Sequence, residues 1–148
     1  MVGDGQAGRR DRPTLARRSV CNRGRERWAT RTVTVVDASV WVSRFLRGDT
    51  HHLASRDWLG GRLAAGGLVV APMILLPEVS GAISRQTTRP DLAQQAIRQI
   101  TRLKSLSIVP MDRWLGRLAA EVASDLGLRG ADALYVATAH RLNLPLIT

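Results

Sequence analysis

Residues 32–42 read TVTVVDASVWV, a β-branched run that passes through a single acid into an apolar segment. The five residues from Thr32 to Val36 are short, apolar and β-branched, which predicts a buried strand of a parallel sheet. Residues 38–46 carry apolar side chains at helical spacing and predict a short helix. Only Asp37 separates the two elements. A strand that leads directly into a helix is typical of α/β folds.

The alternation of short apolar strands and helices continues to the end of the chain. The pattern predicts further strands at 68–71, 106–110 and 144–148, and helices at 51–65, from near Pro77 to 85, 91–104, 113–126 and 131–142. Asp112 is a predicted N-cap, and Gly127 and Asn143 are predicted left-handed helix ends. We therefore expect a central parallel sheet, in which ligands bind at the carboxyl ends of the strands.

The length and composition limit the chain to one ordered domain. Its 148 residues are 45% hydrophobic, which excludes a wholly disordered protein. No stretch reaches the roughly 18 consecutive apolar residues of a membrane span. Cys21 is the only cysteine, which excludes an internal disulfide framework and favours a reducing, cytoplasmic location.

The net charge of +10 is concentrated at the amino terminus. Residues 1–31 hold nine arginines and three acids, a net charge of +6, whereas residues 32–148 hold a net charge of +4. The first segment has no helical or strand period, so we predict a disordered basic extension before a domain at 32–148. It is either an unstructured extension, the interpretation we favour, or an arm that grips nucleic acid.

Three acids lie where a parallel sheet would place its chemistry, and each also has a simpler interpretation. Asp37 follows the first predicted strand and would also serve as a helix N-cap. Glu78 lies among apolar residues, where it needs a cation or a partner such as Arg85. Asp132 lies in a first helical turn, where the helix dipole favours an anion. Taken together, the three suggest a shared cation of the Mg²⁺ or Mn²⁺ type.

Four segments resemble the PIN-domain ribonucleases, and most closely the VapC-type toxins of bacterial toxin–antitoxin systems. TVTVVDASVWV is similar to the family's first strand, with its acid and the serine two residues later. VVAPMILLPEVSGAISR is similar to the second strand and the helix that carries the family's glutamate. LSIVPMDRW and GLRGADALYVATAHRLNLPLIT resemble the remainder, and the latter is the most specific segment. The resemblance covers residues 32–148.

The resemblance implies a three-layer α/β/α sandwich and a catalytic site that cleaves RNA phosphodiester bonds with metal-activated water. By this comparison Asp37, Glu78 and Asp132 hold Mg²⁺ or Mn²⁺. Ser39 orients a metal-bound water or the phosphate. All four residues are therefore candidate catalytic residues of a metal-dependent endoribonuclease.

The resemblance also implies the partners of the protein. The substrate is RNA, and Arg85, Arg44 and Arg47 are candidate contacts for its phosphates. A cognate antitoxin and a homodimer are expected, and no membrane is involved. Trp41, Phe45 and Leu46 on the first helix are candidates for part of a protein-binding surface, although core packing is the commoner role for such residues.

One departure from the family's pattern leaves an alternative open. The family usually carries a further acid shortly after the strand that reads PLIT here, followed by another strand. The expectation is therefore a domain without its C-terminal strand and with one metal ligand fewer. The alternative function is a catalytically degenerate PIN-like module that binds RNA or an antitoxin without cleavage. An α/β domain that accepts phosphate on Asp37 is a more distant possibility.

Overall fold

The computed structural model describes residues 32–148, and the extension predicted at residues 1–31 lies outside the described range. Within that range, strands alternate with pairs of helices, as expected. The elements are β1 (Val33–Val36), α1 (Ala38–Phe45), α2 (His52–Ala64), β2 (Leu68–Pro72), α3 (Leu75–Thr87), α4 (Pro90–Thr101), β3 (Leu106–Val109), α5 (Arg113–Leu126), α6 (Gly130–Leu142) and β4 (Leu146–Ile147).

The described strands form one four-stranded sheet, entirely parallel, in the order β3-β2-β1-β4. Val35 of β1 pairs with Val70 on one side and with Leu146 on the other. Val35 and Val70 are buried, which explains why the central strands are apolar rather than alternating. The predicted α/β fold with a central parallel sheet is confirmed.

The strand order places helices on both faces of the sheet. The chain moves from β1 to β2 to β3 in one direction and then returns across the sheet to β4. Because crossovers between parallel strands are right-handed, α1 to α4 cover one face and α5 and α6 cover the other. Helix α6 packs against β1 and β2, and α5 packs on α6. The result is the predicted three-layer sandwich.

Two groups of buried side chains hold these layers together. The larger lies around the sheet and includes Trp41, Leu59 and Leu75, all fully buried. The smaller joins α5 to α6 through Leu115 and small residues of both helices. Because Trp41 is fully buried, its candidacy for a protein-binding surface was wrong. Phe45 and Leu46 remain half-buried beside it.

The helix ends follow the local sequence signals. The Asp112 carboxylate accepts a hydrogen bond from the Leu115 backbone N–H at 2.7 Å, which confirms the predicted N-cap of α5. Gly127 and Asn143 end α5 and α6 with φ of 64° and 51°. Helix α3 begins slightly before Pro77, which thus lies in the first turn, where its missing N–H has no intrahelical acceptor.

No helix within residues 32–148 has both the length and the apolar character needed to cross a lipid bilayer.

Candidate functional site

Asp37 lies at the point where the strand order of the sheet reverses. It follows β1 directly, and its backbone N–H donates to the Ile147 carbonyl of the neighbouring β4 at 2.9 Å. In open α/β sheets this reversal point, at the carboxyl ends of the strands, is where ligands bind. Asp37 therefore places one carboxylate at the carboxyl end of β1, where a ligand-binding crevice is expected.

The Asp37 side chain is not used as a helix cap. The residue occupies the N-cap position of α1, but its carboxylate forms no capping hydrogen bond. Instead, its Oδ2 accepts a hydrogen bond from the Ser39 hydroxyl at 2.9 Å. The simpler interpretation of Asp37 as a cap is therefore wrong, and the structure brings together two of the predicted site residues.

Glu78 lies in the first turn of α3 and is half-buried. Its Oε2 accepts a hydrogen bond from the Tyr135 hydroxyl at 2.8 Å. The ion pairs among residues 32–148 join Arg56 to Asp57, Arg89 to Asp91 and Arg141 to Asp112. None of them includes Glu78, so the alternative of a structural pair with Arg85 was wrong.

Asp132 lies in the first turn of α6 with its side chain exposed, and it completes an acidic edge. Asp37 and Asp132 come from other elements than Glu78, but their charges act on its carboxyl. Burial raises the pKa of the Glu78 carboxyl above its ordinary value, the hydrogen bond from Tyr135 lowers it, and the charges of Asp37 and Asp132 raise it further. Asp37 and Asp132 therefore both lie close enough to Glu78 for their charges to act on it.

Tyr135 is the residue of this site that the sequence did not reveal. It is the only tyrosine of the chain and follows Asp132 by three positions, nearly one helical turn. Its side chain is 1% exposed, and burial together with the neighbouring Glu78 carboxylate raises the pKa of the phenol. The hydroxyl therefore remains protonated and donates to the carboxylate throughout the neutral range.

The acidic edge suits a hard divalent cation by its donor chemistry. Within residues 32–148 no three His, Cys, Asp or Glu side chains form a ready-made metal-binding group. However, Mg²⁺ commonly takes only one or two carboxylates and completes its shell with water. Asp37, Glu78 and Asp132 carry such oxygens, and a cation near Glu78 would offset the effect of the Asp37 and Asp132 charges on it. The donor chemistry is that of an Mg²⁺ or Mn²⁺ site, and the binding of either cation stays a prediction.

The three candidate arginines have different surroundings. Arg85 is exposed, and its side chain folds back along α3 over Gly81, toward the turn that carries Glu78. A Cβ atom added to Gly81 would lie 2.9 Å from the Arg85 Nη1. Arg44 is half-buried with a buried Nη1 that has no hydrogen-bond partner within the described range, and it packs near Gly60 of α2. Arg47 follows the far end of α1 from Asp37.

A cleft opens beside Ser39 with a volume of about 430 Å³. Ser43, His51 and Trp58 are among the residues that line it. This volume lies in the range of small-molecule sites, roughly 300–1,000 Å³. The cavity is mainly apolar, and Ser39, which donates to Asp37, is the predicted site residue that lines it.

The structure defines an α/β protein with a carboxylate, Asp37, at the reversal point of a parallel sheet. The family profile described as PIN domain matches residues 34–148. The chain belongs to the PIN-domain family. The predicted resemblance is thereby confirmed.

Comparison with solved structures gives the same fold. VapC20 of Mycobacterium tuberculosis, described as a sarcin-ricin loop cleaving toxin, superposes with a TM-score of 0.62 at 20% identity, covering 76% of this chain and 85% of that one. VapBC2 of Rickettsia felis, bound to a DNA fragment from its promoter, gives a TM-score of 0.57 at 16% identity, covering 79% and 87%. A search of curated proteins finds no match.

Proposed function

We propose that this protein is a metal-dependent endoribonuclease of the VapC type, the toxin of a toxin–antitoxin pair. The observation that carries the proposal is the action of the Asp37 and Asp132 charges on Glu78, with Asp37 at the reversal point of a PIN-domain sheet. A half-buried carboxylate such as Glu78, with two like charges acting on it and no ion pair within residues 32–148, is costly unless it binds a cation. Binding a catalytic cation is the function that best explains its retention.

Each residue of the site has a definite task in this proposal. Asp37, Glu78 and Asp132 would hold Mg²⁺ or Mn²⁺, which supplies an activated water and offsets the charge that develops on the phosphate. The Ser39 hydroxyl, already oriented by Asp37, would turn toward water or phosphate at the same place. Exposed Arg85 would contact the RNA backbone from the Glu78 helix.

The structural neighbours support the toxin assignment. One is described as a sarcin-ricin loop cleaving toxin, and the other is VapBC2 bound to a DNA fragment from its promoter. By analogy, we propose RNA as the substrate, a cognate antitoxin and a second copy of the chain as protein partners, and the cytoplasm as the location. Folds of this kind carry many functions, so the proposed activity must be tested by substitution of the acids and cannot rest on the fold.

The direct test is RNA cleavage by the purified chain with Mg²⁺, with Mn²⁺ and with a chelator. We expect cleavage with either cation and none with the chelator, because without the cation the hydrolytic water is not activated. An Asp132→Asn variant purified in parallel controls for contaminating ribonuclease. Equal RNA loss in all samples would eliminate the proposal.

A second candidate function has one observation in its favour. The acids of the described residues do not form a ready-made metal group, as expected for a catalytically degenerate module that binds RNA or an antitoxin. Thermal unfolding separates the two functions, because a ligand that binds only the folded state raises its stability by mass action. Stabilisation by Mn²⁺ favours the nuclease, and its absence favours the binding module.

Replacement of Arg85 by glutamine should weaken RNA binding in a salt-dependent way. Loss of one phosphate contact reduces the slope of log affinity against log salt by about 0.7 for single-stranded RNA. Binding is measured in an Asp37→Asn background, which prevents cleavage. Arg117→Gln on the exposed surface of α5 is the matched control. An identical slope for both variants would remove Arg85 from the RNA-binding surface.

A further inference from the structure

Tyr135 ties together the two helices that carry Glu78 and Asp132. It projects from α6, its side chain is almost fully buried, and its hydroxyl donates to Glu78 Oε2 at 2.8 Å. This hydroxyl thus connects α6 to α3.

The hydrogen bond uses only one of the two Glu78 oxygens. Within the described residues no other hydrogen bond reaches this carboxylate, so Oε1 remains available. A carboxylate on a flexible side chain would otherwise turn away from two like charges. Loss of a side chain that hydrogen-bonds to a metal-binding carboxylate and fixes its orientation commonly lowers metal affinity by about 10- to 100-fold.

We propose that Tyr135 is a positioning residue for the cation site. Its hydroxyl fixes Glu78 through Oε2 and keeps Oε1 directed to the space shared with Asp37 and Asp132. This inference rests on the proposed cation-dependent function and adds a residue to it. Tyr135 itself is too buried to contact the substrate.

If Tyr135 served only to pack the core, removal of its hydroxyl would leave cation affinity unchanged. The Tyr135 ring fills the core around the sheet, and Tyr135→Phe keeps that ring while it removes the hydroxyl. Thr138 offers a matched control on the same helix: it is fully buried, and its hydroxyl donates to the Leu134 carbonyl at 2.7 Å. Thr138→Val therefore deletes a buried hydroxyl that does not touch the acids.

The experiment measures Mn²⁺ affinity of the full-length wild-type chain and both variants. We expect Tyr135→Phe to bind Mn²⁺ about 10- to 100-fold more weakly and Thr138→Val to bind like the wild type. Equal affinity in Tyr135→Phe and wild type overturns this inference and leaves the proposed function intact. Absence of Mn²⁺ binding by the wild type overturns both.

A second readout in metal-free protein keeps the test independent of folding defects. The chain contains three glutamates, so ¹³C labelling of Glu gives three carboxyl signals, and Glu78→Gln identifies the relevant one. Because the Tyr135 hydrogen bond favours the ionised carboxylate, Tyr135→Phe should raise the pKa of Glu78 and leave the other two signals unchanged. An unchanged Glu78 titration would contradict the proposed contact.

Discussion

Replacement of Asp37 by asparagine should reduce metal-dependent RNA cleavage by at least about 1,000-fold, because a metal that stabilises the transition state contributes several kcal/mol and each 1.36 kcal/mol is tenfold. The fold should survive, since the Asp37 carboxylate does not cap α1. Asparagine also keeps an oxygen that can accept the Ser39 hydrogen bond. The measurement is the initial rate of cleavage of labelled RNA at saturating Mg²⁺.

The matched control for this variant is Asp125→Asn, the same chemical change at an exposed position of α5. It should cleave RNA at the wild-type rate. If Asp37→Asn retains more than about a tenth of the wild-type rate, Asp37 does not hold the catalytic cation. If both variants lose activity together, the loss comes from net charge and not from the site.

Much of this fold was predictable because its signals are local. The β-branched run that ends at Asp37, the Asp112 cap and the left-handed ends at Gly127 and Asn143 each depend on a few adjacent residues. The boundaries were less predictable where long-range packing decides them. Helix α4, predicted to reach Lys104, ends at Thr101, and the last strand is confined to Leu146–Ile147.

The positions of the acids were predictable from topology, but their surroundings were not. Parallel strands bring their carboxyl ends to one edge, so Asp37 could be placed at the ligand-binding edge without coordinates. Tyr135 looked like one more core residue in an apolar helix, because its partner Glu78 is 57 positions away. Arg44 was chosen for its closeness to Asp37 in the sequence, yet it packs near α2.

Glu78 links stability to the proposed cation binding, because its charged carboxylate should destabilise the metal-free folded state and stabilise the state with a bound cation. Burial and the neighbouring acids raise its folded-state pKa above the ordinary value of 4.5. Between these two pKa values the folded state binds more protons than the unfolded state, so stability falls as the pH rises through that window. The full penalty is present above the folded-state pKa, in metal-free protein.

Glu78→Gln should therefore shift stability and activity in opposite directions. The amide carries no charge but still offers an oxygen to the Tyr135 hydroxyl. At neutral pH and without metal we expect the variant to unfold at a higher temperature than the wild type, and the difference should disappear below about pH 4.5. Glu121→Gln on the exposed side of α5 is the control and should change neither value.

Addition of Mn²⁺ should reverse the order of stability. A free Mn²⁺ concentration of 100 times the dissociation constant adds about 2.7 kcal/mol to the stability of a folded state that binds the ion. The wild type should gain this stabilisation, whereas Glu78→Gln should gain little. The variant should also lose RNA cleavage by at least about 100-fold. A metal-free variant less stable than the wild type at neutral pH would mean that the hydrogen bond from Tyr135 to the carboxylate outweighs the cost of the Glu78 charge. A variant that Mn²⁺ stabilises as much as the wild type would place the cation elsewhere. A variant that is more stable than the wild type without metal and less stable with Mn²⁺ is expected only if Glu78 binds the cation.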